Sequence, residues 1–332
     1  MKQIPYARMN IILITLLVLI SFLSLFIGTV SFSPAEVFYA LIGQADQATS
    51  IIILELRLPR VFMGILAGAT LGLSGAALQG MLRNPLADPG IIGVTSTASL
   101  GAIIAIYFGL SALFPGAIQI MAIVGALVAT LILAMIAARD SSVLTLILAG
   151  IAISSLATAA MSLAMNFSPN PMTLQDMIMW MLGSLENRTI SDIYISLPFI
   201  IVGWALHLGI ANGLDASSLG DDTAKSLGID TRRMQLKIII GGALSVGAVV
   251  AVCGAIGFIG LVVPHMVRRF IGYTPGRLLF PSALMGAILL ISADLVTRIP
   301  FGQGQLRLGV VTAIIGAPLF LYIIFKTRRA MR

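Results

Sequence analysis

Few side chains in this 332-residue sequence could do chemistry in an apolar setting, and they are widely spaced. Asp294 is the one acidic residue well inside an apolar run. An intramembrane carboxylate is a candidate ion or proton site, as in ion-coupled carriers. Arg298 follows four residues later on the same helix face, so an ion pair is the preferred reading. His207 and His265 stand far from each other and from the single Cys253. No metal site is therefore expected, and no intrachain disulfide can form. Met172, Met177, Met179 and Met181 around Trp180 offer sulfur, but with no Cys or His beside them they read as adaptable packing. The sequence has no Gly-Lys pair, hence no phosphate-cradling G-x-x-x-x-G-K-S/T loop. It also lacks a nucleophile beside a base and any paired carboxylates within the apolar runs. Neither an enzyme nor a cofactor is expected.

The elements that must position these groups follow from composition. Hydrophobic residues make up 58% of the chain and charged residues 10%, against roughly 25% charge in soluble domains. Charge-free runs such as Ile11–Gly28, Ile118–Ala138 and Ile238–Gly257 are close to the roughly 20 residues a helix needs to cross a bilayer. They are continuous, not alternating, which excludes a barrel. The reading is an all-α polytopic membrane protein. Its expected spans lie near 11–29, 61–81, 91–109, 114–137, 143–165, 192–209, 238–257, 258–271, 279–297 and 309–325, about ten in all, with 258–271 short. The first run lacks a cleavage signal and is kept as a helix. With both termini inside, fifteen Lys and Arg fall on the inner side, and only Arg57, Arg60, Arg188, Arg298 and Arg307 on the outer. That asymmetry is the signature of cytoplasmic loops, and the net charge of +7 then reflects contact with anionic lipid. The basic residues form no stripe with interleaved aromatics, so nucleic acid is excluded.

Four segments carry more than hydropathy. Gly64, Gly68, Gly72 and Gly75, and later Gly241, Ser245 and Ala248, place small residues at helical spacing, which implies closely packed helices. Asn84, Pro85 and Leu86, followed by Ala87-Asp88-Pro89, cannot continue a helix and predict an ordered turn at the inner surface. The loop over 212–235 is the longest on the inner side. There Asp215 and Asp221 could cap two short helices, Gly220 and Gly228 could end them, and Leu214, Leu219, Ala224 and Leu227 give them an apolar side. That side either meets a protein partner or packs back onto the span ends. Gly254 to Arg269 is a Gly- and Pro-interrupted apolar segment, read either as a cavity-lining break or as re-entrant packing.

Taken together, Leu56-Arg-Leu-Pro-Arg60, the Gly-rich second span leading to Asn84-Pro-Leu-Ala-Asp-Pro-Gly90, the Leu214–Gly228 loop, Gly257 to Arg268 and Gly309 to Pro318 resemble the FecCD-type permeases. These are transmembrane subunits of type II ABC importers for iron–siderophores, haem and cobalamin. The resemblance implies one permease domain over 1–332 with ten helices, placed in a bacterial inner membrane with both termini cytoplasmic. Its implied partners are a second permease subunit, identical or not, two ATP-binding subunits and a periplasmic substrate-binding protein. It further implies that Arg57, Arg60 and Arg298 dock the binding protein and that Asn84, Pro85 and Leu86 form a cytoplasmic gate turn. Coupling to the ATPase would fall to Leu214, Leu219, Gly220, Asp221, Ala224, Leu227 and Gly228. Gln305 departs from the family, which often has Glu there.

Overall fold

A computed structural model describes residues 4–28, 30–114, 116–139, 143–299 and 306–330. Gln305 lies outside them. Helices α1 (Tyr6–Phe26), α2 (Pro34–Leu41), α3 (Gln47–Ser50) and α4 (Leu58–Met81) open the chain, followed by α5 (Val94–Tyr107), α6 (Ala117–Arg139) and α7 (Val143–Asn166). Then come α8 (Pro171–Met181), α9 (Ile190–Leu206), α10 (Ala211–Ser217), α11 (Asp221–Ser226) and α12 (Thr231–Cys253). The last three are α13 (Ile259–Ile271), α14 (Pro275–Thr297) and α15 (Leu308–Ala330). No strand occurs among the described residues.

Ten of these helices, α1, α4 to α7, α9 and α12 to α15, stand where the apolar runs are. Among the described residues, six helical runs are long and apolar enough to cross a membrane on their own, and α9 with α10 forms a bent pair at 51°. A π-helical turn over Ile51–Arg57 joins α3 to α4, making one helical run of 35 residues, Gln47–Met81. Runs α3–α4 and α12 form the centre, each with 78% of its apolar window buried, whereas α1 and α7 lie at the periphery with 22%.

The centre holds because the helices touch backbone to backbone. A Cβ on Gly72 would sit 2.1 Å from the carbonyl oxygen of Ser282 in α14, and one on Gly75 2.0 Å from that of Gly260 in α13. Apolar side chains gain little by leaving lipid for another helix, so this close approach, with its dispersion contacts, supplies the association. Gly72→Ala is expected to push α4 and α14 apart and cost about 1–3 kcal/mol. Gly64→Ala, whose new methyl would meet only the side-chain tips of Ile291 and Leu185 at 3.2 and 3.3 Å, should cost clearly less. Thermal unfolding of the two purified variants in detergent checks the order.

Helix α13 explains why its span looks short in the sequence. Residues 254–258 are not helical; Gly254 (φ 71°) leaves α12 beside Gly183, and Phe258 (φ 69°) begins α13 against Gly316 of α15. The chain re-enters the bundle without helical structure and turns helical where Gly260 packs on Gly75 of α4. Non-helical backbone at that depth is tolerated because protein surrounds it.

Candidate functional site

The two faces of the bundle carry different chemistry. On one, the C-terminal ends of α1 and α14 meet the N-terminal end of α4. Asp294, whose side chain is 3% exposed, accepts from Arg60 Nη2 at 2.8 Å and from Arg298 Nη2 at 2.8 Å. Arg298 also donates to the carbonyls of Ser24 (2.6 Å) and Ile27 (2.7 Å), so it closes the end of α1 while sitting at the C-terminus of α14, where a cation is favoured. Arg57 donates to the carbonyls of Leu25 and Val30 and lies 4.8 Å from the centre of the Phe32 ring.

The expected i, i+4 pair is therefore present, and the sequence missed its third member, Arg60, 234 positions away from Asp294. Of these guanidinium groups that of Arg60 is the most accessible to water. Arg57 is 6% exposed and the Arg298 side chain 5%, against 18% for Arg60. All three line one cavity of about 240 Å3 together with Glu186 and Asn187. Arg307 pairs with Glu186, and Arg188 donates to the carbonyl of Val252, so the five arginines set apart by the charge count gather on this face. Three cations around one buried carboxylate leave the cluster positive. Both Asp294 oxygens are occupied by guanidinium donors, so the residue lacks the free carboxylate that an ion-coupled carrier needs.

On the opposite face, Asn84 Oδ1 accepts from the Leu86 amide (2.9 Å) and the Asn84 carbonyl from the Ala87 amide (3.1 Å), while Asn84, Pro85 and Leu86 are exposed. The buried Gln79 anchors this turn. Its Nε2 donates to Ala87 O (3.3 Å), Gly260 O (3.3 Å) and Leu261 O (3.1 Å), and its Oε1 accepts from Arg268 (3.0 Å). One amide thus ties α4, the turn and the start of α13 together. An unremarkable Gln near the end of a span gives no sequence signal for that role.

The 212–235 segment contains two short helices, as expected, but their caps differ. Helix α10 begins at Ala211, so Asp215 lies inside it and instead accepts from the Gly276 amide (2.6 Å), capping the first turn of α14 from another helix. Gly220 (φ 112°) is the N-cap of α11, a backbone shape that favours glycine, and Asp221 is its first helical residue. Asp221 pairs with Arg83, which links α11 to the Asn84 turn. Gly228 (φ 79°) follows the end of α11 as expected.

Of the four apolar residues expected on one side, Leu214 and Ala224 are fully buried, Leu214 against Gly80 of α4. Leu219 and Leu227 are 68% and 61% exposed. The segment therefore both packs back onto the span ends and presents an apolar pair outward. His207 is buried with Nδ1 2.7 Å from the Gly203 carbonyl, an acceptor only, so Nδ1 carries the proton.

Between the faces, α7 shows an unusual exposed side. Ser155, Thr158, Ala159 and Ser162 follow one stripe of the helix and are exposed, whereas the exposed side of α1 is uniformly apolar over Ile11, Leu19, Phe22 and Leu23. Lipid suits the second stripe and not the first.

Known proteins share this arrangement. Residues 16–326 match the FecCD transport family. The vitamin B12 import system permease protein BtuC of Vibrio cholerae is 38% identical over 328 residues, which covers 98% of this chain and 96% of that protein. The Fe(3+)-citrate import system permease protein YfmE of Bacillus subtilis is 36% identical over 325 residues, covering 96% and 95%. A solved metal-chelate-type ABC transporter in an inward-facing conformation superposes with a TM-score of 0.85 at 30% identity, covering 96% of this chain and 99% of its own. With a match of such extent laid over a ten-helix bundle built on glycine contacts, the chain belongs to the FecCD transport family and is a membrane permease, not a catalyst.

Proposed function

We propose that this chain is one of two permease subunits of an importer that carries a chelated metal compound, such as an iron–siderophore, haem or cobalamin, from periplasm to cytoplasm. The face bearing Arg57, Arg60 and Arg298 is then periplasmic, and the face bearing α10 and α11 cytoplasmic, in line with the distribution of Lys and Arg. The observation that carries the reading is the exposed pair Leu219 and Leu227, in the turns that end two short helices fastened from behind by Leu214, Ala224 and the Arg83–Asp221 pair. A surface that is apolar, stiff and outside the spans suits a motor subunit that must push on the membrane helices. The polar stripe of α7 supports a second permease subunit, because Ser155, Thr158 and Ser162 can face a shared water-filled path between two copies. The positive cluster around Asp294 suits carboxylates on a binding protein, and Arg60, its most exposed member, is the first contact.

Reconstituted vesicles test this. Uptake of the chelate should require ATP, a separate ATPase and the binding protein together, and Arg60→Ala should weaken binding-protein affinity at low salt. Gradient-driven uptake by the purified chain alone would refute the proposal.

A further inference from the structure

Between α1, α9 and α14, with α4 as its floor, lies an apolar cavity of about 490 Å3 that neither docking nor coupling uses. Helix α14 lines it with Gly276, Leu279, Phe280, Ala283, Leu284 and Ala287, residues that follow one side of the helix. At a rise of 1.5 Å per residue, Gly276 to Ala287 measures about 17 Å. Half of a hydrocarbon core about 30 Å thick is about 15 Å. The groove therefore starts at the membrane surface on the α10–α11 side and ends near the midplane, which is the depth of one leaflet.

Its contents follow from its walls. The space is many times what one water requires; apart from His207, whose Nε2 has no hydrogen-bond partner among the described residues, its walls are apolar and offer water no partners. The indole of Trp204, which lines the cavity, already donates its Nε1–H to Thr70 Oγ1 at 3.0 Å. Leu208 and Phe280 at the rim are 73% and 50% exposed, so the groove opens sideways to the bilayer. At its surface end stands Arg277, next to Gly276, exposed and without an ion-pair partner among the described residues. We infer that this groove is a lipid site: one acyl chain of an anionic phospholipid lies along α14 and its phosphate meets Arg277. The acyl chain makes dispersion contacts with the apolar wall, and the guanidinium supplies the headgroup preference.

The protein carries its own reporter. Trp204 lines the groove, and Trp180 is the only other tryptophan, so the full-length Trp180→Phe chain reports from Trp204 alone. In phosphatidylcholine vesicles, phosphatidylglycerol brominated on its acyl chains should quench Trp204 saturably at low mole fraction. Brominated phosphatidylcholine should need about fivefold more, the preference that one surface cation gives. Ala283→Phe, which fills the groove, should remove the saturable component, and Arg277→Gln should remove the headgroup preference alone. A competition needs no further variant: unlabelled phosphatidylglycerol should restore the fluorescence. Quenching that rises linearly with bulk composition, or resists competition, overturns the lipid site. Saturable quenching with no headgroup preference overturns the assignment of Arg277.

Discussion

Leu219→Asp and Leu227→Asp are each expected to leave the chain folded and inserted while transport falls at least tenfold and a co-expressed ATPase no longer co-purifies. Both side chains are more than half exposed, so neither change disturbs internal packing, and surface changes of this type stay within about 0.5 kcal/mol of the parent stability. An apolar anchor seated in a partner's pocket contributes about 2 kcal/mol or more, which is about thirtyfold in affinity, and a carboxylate in that pocket also loses its water. The two leucines stand in the turns that directly follow α10 and α11, and those helices are fastened: Leu214 is locked against α4, Asp215 holds the first turn of α14, and Asp221 holds Arg83. Force on the leucines is therefore delivered to α4, α14 and the Asn84 turn. Ala224→Asp is the contrasting control. Ala224 is fully buried, so its variant should lose folded protein as well as transport. Retention of both ATPase binding and uptake by the two leucine variants would rule the coupling role out.

Asp294→Ala should be the most damaging single change at the other face. It leaves the guanidinium groups of Arg298 and Arg60 without their shared carboxylate, one of them 5% and the other 18% exposed. Removing one partner of a buried ion pair costs about 3–5 kcal/mol, because the remaining charge stays desolvated. Arg60 can swing toward the cavity and water, whereas Arg298 cannot leave without releasing Ser24 and Ile27 and thereby the end of α1. Asp294→Leu combined with Arg298→Met should therefore be more stable than Asp294→Leu alone, although it removes more of the natural contacts. A detergent unfolding midpoint that drops equally in the single and double variants would show that the cluster is not held by charge compensation. If Asp294 were instead an ion-coupling site, Asp294→Asn would abolish uptake at unchanged stability.

Much of this was legible in the sequence because it depends on composition and on local spacing. A bilayer demands long apolar runs, and Lys and Arg sort to one side, so the span positions, the all-α class and the two groups of cations are written in order along the chain. The 212–235 segment stood out for the same reason, as polar, capped and glycine-punctuated residues between two apolar stretches. Local spacing also placed Asp294 and Arg298 on one helix face. It did not supply the cap partners, since whether Asp215 caps its own helix or α14 depends on which amide the fold brings within 2.6 Å.

Composition, turn chemistry and i, i+4 spacing by themselves determined that this chain is an all-α membrane bundle of about ten helices with a capped loop on one face and arginines on the other. Tertiary structure alone decided that Arg60 completes the Asp294 cluster, that Gln79 joins three elements, that Leu214 and Ala224 face inward while Leu219 and Leu227 face outward, and that a leaflet-deep groove runs along α14. The physical reason is that burial and hydrogen bonding are properties of contacts between residues far apart in the chain, such as the 234 positions separating Arg60 from Asp294, and no local pattern encodes which distant backbone a glycine, an amide or a guanidinium will meet.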